Sequence, residues 1–333
     1  MTKLVRGLSG IFLLTVGATP VAAADRLIGV QSARVMSQSM PWIAEETGIF
    51  RKYNLEFPLV YIGTSPLATA AMLGGDAQLL IDGGVGLVRA NVGGNNDLVF
   101  VAGIKNHLTQ SILAKPEIKR LEDLRGKKIG VTRIGSTTHY FALQVFKRRG
   151  MEAGKDYSMI QTGGAPEMFA ALVSGTIDAG TMSAPWDARA ISQGYSYVVY
   201  GPDLRMPQVA VSLITRRSFI AQQSPLIGRF MRAMAEAAKI LHTDKEIVLK
   251  VLSKYLRIDD RKVLDQAYGA EIKALEPRME LRLEAVQAIL DDVAPSDARA
   301  KKFKPQEFYD RRYLDDMEKS GFMDKLWSGA VAR

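Results

Sequence analysis

The chain carries an internal duplication. When residues 63–94 are placed beside residues 163–194 without a gap, eight of the 32 positions hold the same residue. The identical pairs are Gly63/Gly163, Pro66/Pro166, Ala70/Ala170, Ala71/Ala171, Gly75/Gly175, Arg89/Arg189, Ala90/Ala190 and Gly94/Gly194. The sequence Ile28-Gly29-Val30 lies ahead of the first copy, and Ile129-Gly130-Val131 lies ahead of the second. A repeat of this kind marks a structural unit that is used twice. The sequence therefore predicts two lobes of the same architecture.

Each half alternates strands with helices. Strands are predicted at residues 27–30, 55–62 and 78–81 in the first half, and at 128–131, 159–161 and 177–182 in the second. Helices are predicted from Pro41 to near Gly48 and at 66–73, 137–149 and 166–173, with proline in the first turn or glycine after the last. This alternation is typical of α/β proteins, so we expect a doubly wound, mostly parallel sheet in each lobe.

The remainder of the chain is predicted to be helical. Helices are expected at residues 225–242, 245–256, 261–275, 280–293 and 305–319. Residues 208–215 read as a strand, which we expect to pair with residues 111–114. Lobe 1 is accordingly predicted to comprise residues 25–110 plus 206–333, with the helical tail packed on it, and lobe 2 residues 111–205. Two crossings between lobes are the usual wiring of a hinge.

The first 24 residues have the order of a secretory signal peptide. Lys3 and Arg6 precede an apolar stretch at residues 8–17, and Ala22-Ala23-Ala24 supplies the small residues of a cleavage site. The apolar stretch is too short to span a membrane as a helix. We predict cleavage after Ala24 and a periplasmic protein; the alternative is a buried N-terminal helix.

Composition excludes several classes of function. The chain has no cysteine, so it has no disulfide framework, thiolate metal site or cysteine nucleophile. Its three histidines are scattered, and its net charge of +9 is spread along the sequence rather than gathered into a nucleic-acid stripe. The G-x-S-x-G, P-loop and HExxH signatures are absent. We therefore predict a protein without catalysis, cofactor, metal or nucleic-acid partner.

Several motifs resemble those of a known family. Residues 41–55 (PWIAEETGIFRKYNL) resemble a P-x-x-x-A-x-E-x-G-x-F…L opening, and residues 121–131 (LEDLRGKKIGV), followed by Gly135-Ser136, resemble L-x-D-L-K-G-K-x-I-G-V…G-S. Residues 170–179 (AALVSGTIDA) resemble A-L-x-x-G-x-V-D-A. In this order they resemble the nitrate/sulfonate/taurine (thiamine-precursor-like) substrate-binding proteins of ABC importers.

The resemblance implies a type II periplasmic binding fold, in which a solute lies between two hinged lobes. It implies the substrate-binding component of an ABC importer, with an inner-membrane permease as its partner, and a monomer is expected. The solute would be small and anionic, such as a sulfonate, nitrate or carboxylate, or else pyrimidine-like. Two alternatives share the fold: a receptor for a membrane histidine kinase, and a lyase or synthase.

The candidate site lies where strands end and helices begin. Ligands of open α/β sheets bind beyond the carboxyl ends of the strands, and helix N-termini attract anions. Arg34 and Arg133 are the cations predicted to pair with an anion. The candidate ligand-binding residues are Gln31, Ser32, Arg34, Gly63, Thr64, Ser65, Asp82, Gly83, Arg133, Gly135, Ser136, Thr137, Thr138, Gly164, Ala165, Ser183, Trp186 and Asp187. Each has an ordinary alternative: Ser136 or Thr137 as a helix cap, the glycines as turns, the arginines as solvated surface, and Trp186 as packing.

Overall fold

The computed structural model describes residues 23–329. Its strands are β1 (Asp25–Arg26), β2 (Gly29–Gln31), β3 (Leu55–Glu56), β4 (Leu59–Tyr61), β5 (Leu79–Asp82), β6 (Leu98–Leu108), β7 (Ser111–Ala114), β8 (Lys128–Val131), β9 (Ser158–Gln161), β10 (Ala179–Met182), β11 (Ser196–Val199) and β12 (Met206–Arg216). The predicted signal peptide falls on residues 1–24, of which 1–22 lie outside the described part.

The helices fall into a set distributed between the strands and a C-terminal set. They are α1 (Met40–Glu46), α2 (Ile49–Lys52), α3 (Ser65–Gly74), α4 (Val85–Val92), α5 (Thr137–Lys147), α6 (Ala165–Val173), α7 (Trp186–Ser192), α8 (Arg217–Thr243), α9 (Lys245–Leu256), α10 (Arg261–Glu271), α11 (Leu283–Val293), α12 (Arg312–Lys319) and α13 (Phe322–Trp327). Within residues 23–329 no helix is both long and apolar enough to cross a bilayer.

Two five-stranded sheets have equivalent strand orders. Sheet 1 is ordered β4-β2-β5-β12-β6, and sheet 2 is ordered β9-β8-β10-β7-β11. In each sheet four strands run in one direction, and the remaining strand, β12 or β7, runs antiparallel to its neighbours. We call sheet 1 with its helices lobe 1, and sheet 2 with its helices lobe 2. The predicted two-lobed α/β architecture with mostly parallel sheets is confirmed.

The pairing predicted between residues 208–215 and 111–114 is wrong. Strand β12 pairs with β5 and β6 in sheet 1, whereas β7 pairs with β10 and β11 in sheet 2. The sequence analysis left residues 98–108 unassigned, and this apolar run forms the 11-residue strand β6. Strand β12 pairs with the equally long β6 in sheet 1, and β7 occupies the equivalent position in sheet 2. The predicted lobe boundaries at 110/111 and 205/206 stay a proposal.

The two copies of the repeat share left-handed backbone conformations at paired glycines. Gly75 and Gly175 follow the equivalent helices α3 and α6 with φ angles of +88° and +76°. Gly94 and Gly194 follow α4 and α7 with φ angles of +107° and +89°. Residues with a Cβ atom rarely adopt these left-handed backbone conformations, so both copies have glycine at both turns.

The C-terminal helices complete lobe 1. Helix α8 packs against α1, and α11 packs against β12. Phe230 of α8 lies with Phe50 and Phe57 in one buried aromatic cluster, with ring centroids 4.9–6.3 Å apart. The expectation that the helical tail packs on lobe 1 is therefore confirmed. Helix α8 begins earlier than predicted and is kinked at Gln223, two residues before Pro225.

Other tail helices are shorter than predicted. The helix expected at 261–275 ends as an α-helix at Glu271 and continues as a 3-10 turn, and the one expected at 280–293 begins at Leu283. The helix expected at 305–319 is split into a 3-10 turn at Pro305–Phe308 and α12. Boundaries of this kind depend on tertiary packing more than on local propensity.

Candidate functional site

A polar cavity of about 60 Å³ lies between the two lobes. The carboxyl-terminal ends of β2 and β5 contribute to it from lobe 1, and those of β8 and β10 from lobe 2. Serine and threonine account for nine of its lining residues, which are Ser32, Ala33, Val35, Ser37, Gln38, Ser65, Asp82, Gly83, Lys105, Gln110, Thr132, Ser136, Thr137, Thr138, Ala165, Met168, Thr181, Met182, Ser183, Ala210 and Val211. A space this small and this rich in hydroxyls suits a small polar molecule.

Hydrogen bonds join the two lobes. The indole N–H of Trp186 donates to the Arg34 carbonyl oxygen at 2.8 Å. The Met36 N–H donates to the Ala184 carbonyl oxygen at 3.1 Å. The guanidinium Nε of Arg89 in α4 donates to the Tyr140 hydroxyl in α5 at 2.6 Å. These contacts link lobe 1 to lobe 2.

Two glycines permit the lobes to approach this closely. A Cβ atom on Gly83, at the end of β5, would lie 2.5 Å from Oγ1 of Thr137, at the start of α5. A Cβ atom on Gly164, just before α6, would lie 2.1 Å from the hydroxyl oxygen of Tyr61 in β4. Any larger residue at either position would force the lobes apart or displace the facing side chain.

Asp82 is the buried carboxyl group of the cavity. It ends β5 and is 1% exposed. Its Oδ1 accepts hydrogen bonds from the hydroxyls of Ser32 at 2.6 Å and Ser65 at 2.7 Å. Its Oδ2 is buried and has no partner among the described residues. Burial raises the pKa of Asp82 to about 6, against the opposing effect of the hydrogen bonds from the Ser32 and Ser65 hydroxyls and from the backbone N–H of Gly83.

Lys105 brings a buried ion pair to the cavity wall. Its Nζ, on β6, donates to Glu271 Oε1 on α10 at 2.6 Å and to Thr109 Oγ1 at 2.9 Å. Thr109 Oγ1 in turn donates to Glu271 Oε2 at 3.0 Å. The side chains of Lys105 and Glu271 are 1% and 4% exposed. An ammonium group has three donors, so one N–H of Lys105 remains after these two bonds.

The start of α5 borders the cavity from lobe 2. Ser136 is the N-cap residue, and its Oγ accepts from the backbone N–H of His139 at 3.3 Å. The same hydroxyl lies 2.9 Å from those of Thr132 and Thr138. The capping alternative for Ser136 is thus realised at a residue that also lines the cavity. The first N–H groups of a helix, here those of Thr137 and Thr138, have no acceptor within the helix.

Half of the sequence-predicted site residues line the cavity. The nine that do are Ser32, Ser65, Asp82, Gly83, Ser136, Thr137, Thr138, Ala165 and Ser183. The nine that do not are Gln31, Arg34, Gly63, Thr64, Arg133, Gly135, Gly164, Trp186 and Asp187. Whether any of the eighteen contacts a ligand stays a prediction.

Among the predicted site residues that do not line the cavity, two are exposed arginines and one is a buried aspartate. Arg34 and Arg133 are exposed, and the Arg34 guanidinium lies 4.6 Å from the centroid of the Tyr61 ring. Asp187 is buried and accepts hydrogen bonds from the Ala188 N–H and the Tyr197 hydroxyl. The lining therefore brings together hydroxyls, amides, one carboxyl and one ammonium, and neither predicted arginine.

Several lining residues are not among those predicted from the sequence. Lys105 and Gln110 come from β6 and the segment after it, for which the sequence predicts no element. One signal was available: Lys105 directly follows the apolar run Val99–Ile104, and a charged residue in a buried strand needs a partner. Nothing local in the sequence indicated that Glu271, more than 160 residues away, is that partner.

Two α/β lobes joined by two crossing segments, with a polar cavity between the carboxyl ends of their strands, define the type II periplasmic binding fold. The profile of the family described as NMT1/THI5 like matches residues 39–246. The chain belongs to this family, which confirms the resemblance found in the sequence. Comparison with curated protein sequences gives no match.

Solved structures share the fold at low identity. A protein from Bordetella bronchiseptica RB50 is 20% identical, with a TM-score of 0.79 over 89% of this chain and 98% of its own. The alkanesulfonate-binding protein SsuA from Xanthomonas axonopodis pv. citri, bound to MOPS, is 20% identical, with a TM-score of 0.69 over 87% and 96%. The periplasmic aliphatic sulphonate binding protein SsuA from Escherichia coli is 19% identical, with a TM-score of 0.66 over 87% and 92%.

The same fold also occurs in an enzyme. The desulfurization enzyme DSZB is 14% identical, with a TM-score of 0.63 over 89% of this chain and 99% of its own. The architecture therefore does not by itself separate binding from catalysis, and the residues of the cavity have to do so.

Proposed function

We propose that the protein is the substrate-binding component of an ABC importer, which captures a small polar solute between its lobes without chemical conversion. The observation that carries this proposal is the hydroxyl-lined cavity to which both lobes contribute. The similarity to SsuA proteins, which bind sulfonates, supports the same class.

The geometry suggests how a solute would drive closure. Ser32, Ser65 and Asp82 lie on lobe 1, and Thr137 and Thr181 lie on lobe 2. A solute that contacts both sets is bound more tightly by the closed form than by the open form. It therefore shifts the hinge equilibrium toward closure. A membrane permease that recognises the closed surface would then receive loaded protein.

We propose that an acceptor group of the solute meets the start of α5. The N–H groups of Thr137 and Thr138 and the remaining N–H of Lys105 are donors suited to a sulfonate, nitrate or carboxylate oxygen, or to a pyrimidine ring nitrogen. These donors would replace Arg34 and Arg133 as the groups that receive an anion.

We further propose a periplasmic location and a monomeric state. The N-terminal residues 1–24 have the pattern of a signal peptide, and the fold is shared with a periplasmic protein of Escherichia coli. N-terminal sequencing of the exported protein is expected to begin at Asp25, and light scattering is expected to give the mass of one chain. A mature protein that retains Met1, or a stable dimer, would contradict these two statements.

Thermal unfolding with added solutes tests the central proposal. The panel contains alkanesulfonates, nitrate, carboxylates, pyrimidines and a wider set of polar metabolites, in phosphate buffer because a sulfonate or amine buffer could itself bind. A solute at 100 times its dissociation constant stabilises the folded form by about 2.7 kcal/mol, a rise of several degrees in Tm. A protein that no member of the panel stabilises, or that converts the solute it binds, would not be a solute receptor.

A further inference from the structure

Three polar side-chain oxygens of the cavity wall have no partner among the described residues. They are Oδ2 of Asp82, Oε1 of Gln110 and Oγ1 of Thr181. Asp82, Gln110 and Thr181 are 1%, 5% and 1% exposed, and all three line the cavity between the lobes. Buried polar groups are almost always paired, and an unmade bond costs about 1–3 kcal/mol. The carboxylate oxygen of Asp82 and the amide oxygen of Gln110 can only accept, and the Thr181 hydroxyl can accept as well as donate, so an occupant that supplies donors would satisfy all three.

The surrounding hydrogen bonds leave Asp82 Oδ2 available. The hydroxyls of Ser32 and Ser65 both donate to Oδ1. The Gln38 side-chain amide donates to Ser32 Oγ at 3.0 Å, which fixes the serine hydroxyl as a donor toward Asp82. Both serine hydroxyls are therefore spent on one carboxyl oxygen, and Oδ2 is left to accept from a molecule that enters the cavity.

We propose that the solute carries an N–H donor, an amine or a ring amino group, that donates to Asp82 and to the neighbouring acceptors Gln110 and Thr181. This inference rests on the proposed function and names the solute class more narrowly. An amino nitrogen offers two or three donors, which matches several acceptors around one small space.

A solute made only of acceptors fits the cavity poorly. Nitrate, acetate or an unsubstituted alkanesulfonate would leave Oδ2 of Asp82 and Oε1 of Gln110 unpaired. It would also bring a negative charge beside a buried carboxylate, which is unfavourable in a region shielded from water. Since the donors of α5 and Lys105 suit an acceptor group, the whole solute has an amino end at Asp82, Gln110 and Thr181 and an acceptor end toward α5. A small zwitterion or an aminopyrimidine has this arrangement.

Matched pairs of solutes test the inference. The pairs are 2-aminoethanesulfonate with ethanesulfonate, 3-aminopropionate with propionate, and 4-aminopyrimidine with pyrimidine. Dissociation constants are measured by calorimetry at pH 7.5 in phosphate buffer. In at least one pair we expect the amino member to bind the wild-type protein at least tenfold more tightly than its partner.

Asp82→Asn is the decisive variant. Because the two serine hydroxyls would retain the oxygen of the new side chain, its amide NH₂ would face the cavity in place of Oδ2. The preference is then expected to reverse toward the member that lacks the amino group. Asp97→Asn is the matched control, since Asp97 also accepts a serine hydroxyl, from Ser218 at 2.7 Å, but does not line the cavity. That control should keep the preference.

A second variant covers the case in which Asp82→Asn does not fold. Thr181→Val has nearly the same shape and removes one of the acceptors, so the preference for the amino member should fall severalfold. The inference is overturned if no amino compound binds, if partners without the amino group bind as tightly, or if Asp97→Asn loses the preference as fully as Asp82→Asn. Binding by solutes without N–H groups alone would overturn this inference and leave the proposed function standing, whereas failure of the whole panel would remove both.

Discussion

Gly83 and Thr137 meet across the cleft so closely that a methyl group on Gly83 would lie 2.5 Å from the threonine Oγ1. Gly83 directly follows β5, the central strand of sheet 1, and Thr137 begins the helix that borders the cavity in lobe 2. A side chain at position 83 would therefore force the lobes apart or displace Thr137.

The first prediction concerns this contact. Gly83→Ala should separate the lobes at the cavity and weaken solute binding at least tenfold, a loss of about 1.4 kcal/mol. Calorimetric titration with a solute from the binding panel measures the effect. Gly269→Ala is the control, because a Cβ at Gly269 of α10 meets nothing within 4 Å. Equal affinities for wild type and Gly83→Ala would show that closure does not require this approach.

The second prediction concerns the start of α5. Replacing Ser136 and Thr137 together by alanine should weaken binding about tenfold or more, because two hydroxyls of the cavity wall are lost. The variant also loses a helix cap, which costs about 1 kcal/mol of stability. Asp260→Ala removes the cap of α10, whose carboxylate accepts from the Lys262 and Val263 N–H groups, and serves as the control for that cost. If both variants bind alike, Ser136 and Thr137 do not contact the solute.

The third prediction concerns pH. Burial raises the pKa of Asp82 to about 6 from 3.8, so the folded protein holds this proton more tightly than the unfolded chain does. The associated stability is fully present below pH 4 and is lost as pH rises through 6; it amounts to about 3 kcal/mol. Asp82→Asn removes this dependence. The difference in unfolding free energy between the variant and wild type, from urea titrations, should therefore change in favour of the variant from pH 4 to pH 7. A constant difference across that range would contradict the raised pKa.

The fourth prediction concerns the buried ion pair. Lys105→Met leaves Glu271 charged and buried with one hydrogen-bond partner fewer, and should lower the unfolding free energy by about 3–5 kcal/mol. Lys52→Met breaks a pair with Glu236 of the same 2.6 Å length, but its lysine is 61% exposed. That control should cost less than about 1 kcal/mol. Similar losses for the two variants, measured by urea unfolding at pH 7, would refute a special role for burial.

The sequence could predict what is local or duplicated. Strand 128–131 and helix 245–256 were located to the residue, because turn residues and caps at their ends act over a few positions. Both five-stranded sheets follow from a repeat whose glycines serve the same turns. The pairing of β12 could not be predicted in the same way. A strand records in its own residues that it is buried, but not which neighbour buries it.

The same limit applies to the candidate site: residues near strand ends could be predicted, and residues placed by distant packing could not. Ser32, Asp82 and Ser136 could be placed at the cavity because they follow strands whose ends must meet. Lys105 could not, because its role depends on Glu271 in a helix of the distant tail. Arg34 was expected to face the solute, but its guanidinium lies over the Tyr61 ring. Position relative to the strand ends therefore predicted the cleft, whereas tertiary packing determines which charged side chains line it.

The two copies differ in how the chain completes them. All strands of sheet 2 come from the continuous stretch 111–199, whereas sheet 1 needs β12, from residues 206–216, between β5 and β6. A chain that emerges from its N-terminal end can thus complete sheet 2 before sheet 1, because β6 lacks its neighbour β12 until residues 206–216 have emerged. During synthesis or secretion, lobe 1 consequently stays incomplete until lobe 2 has already emerged.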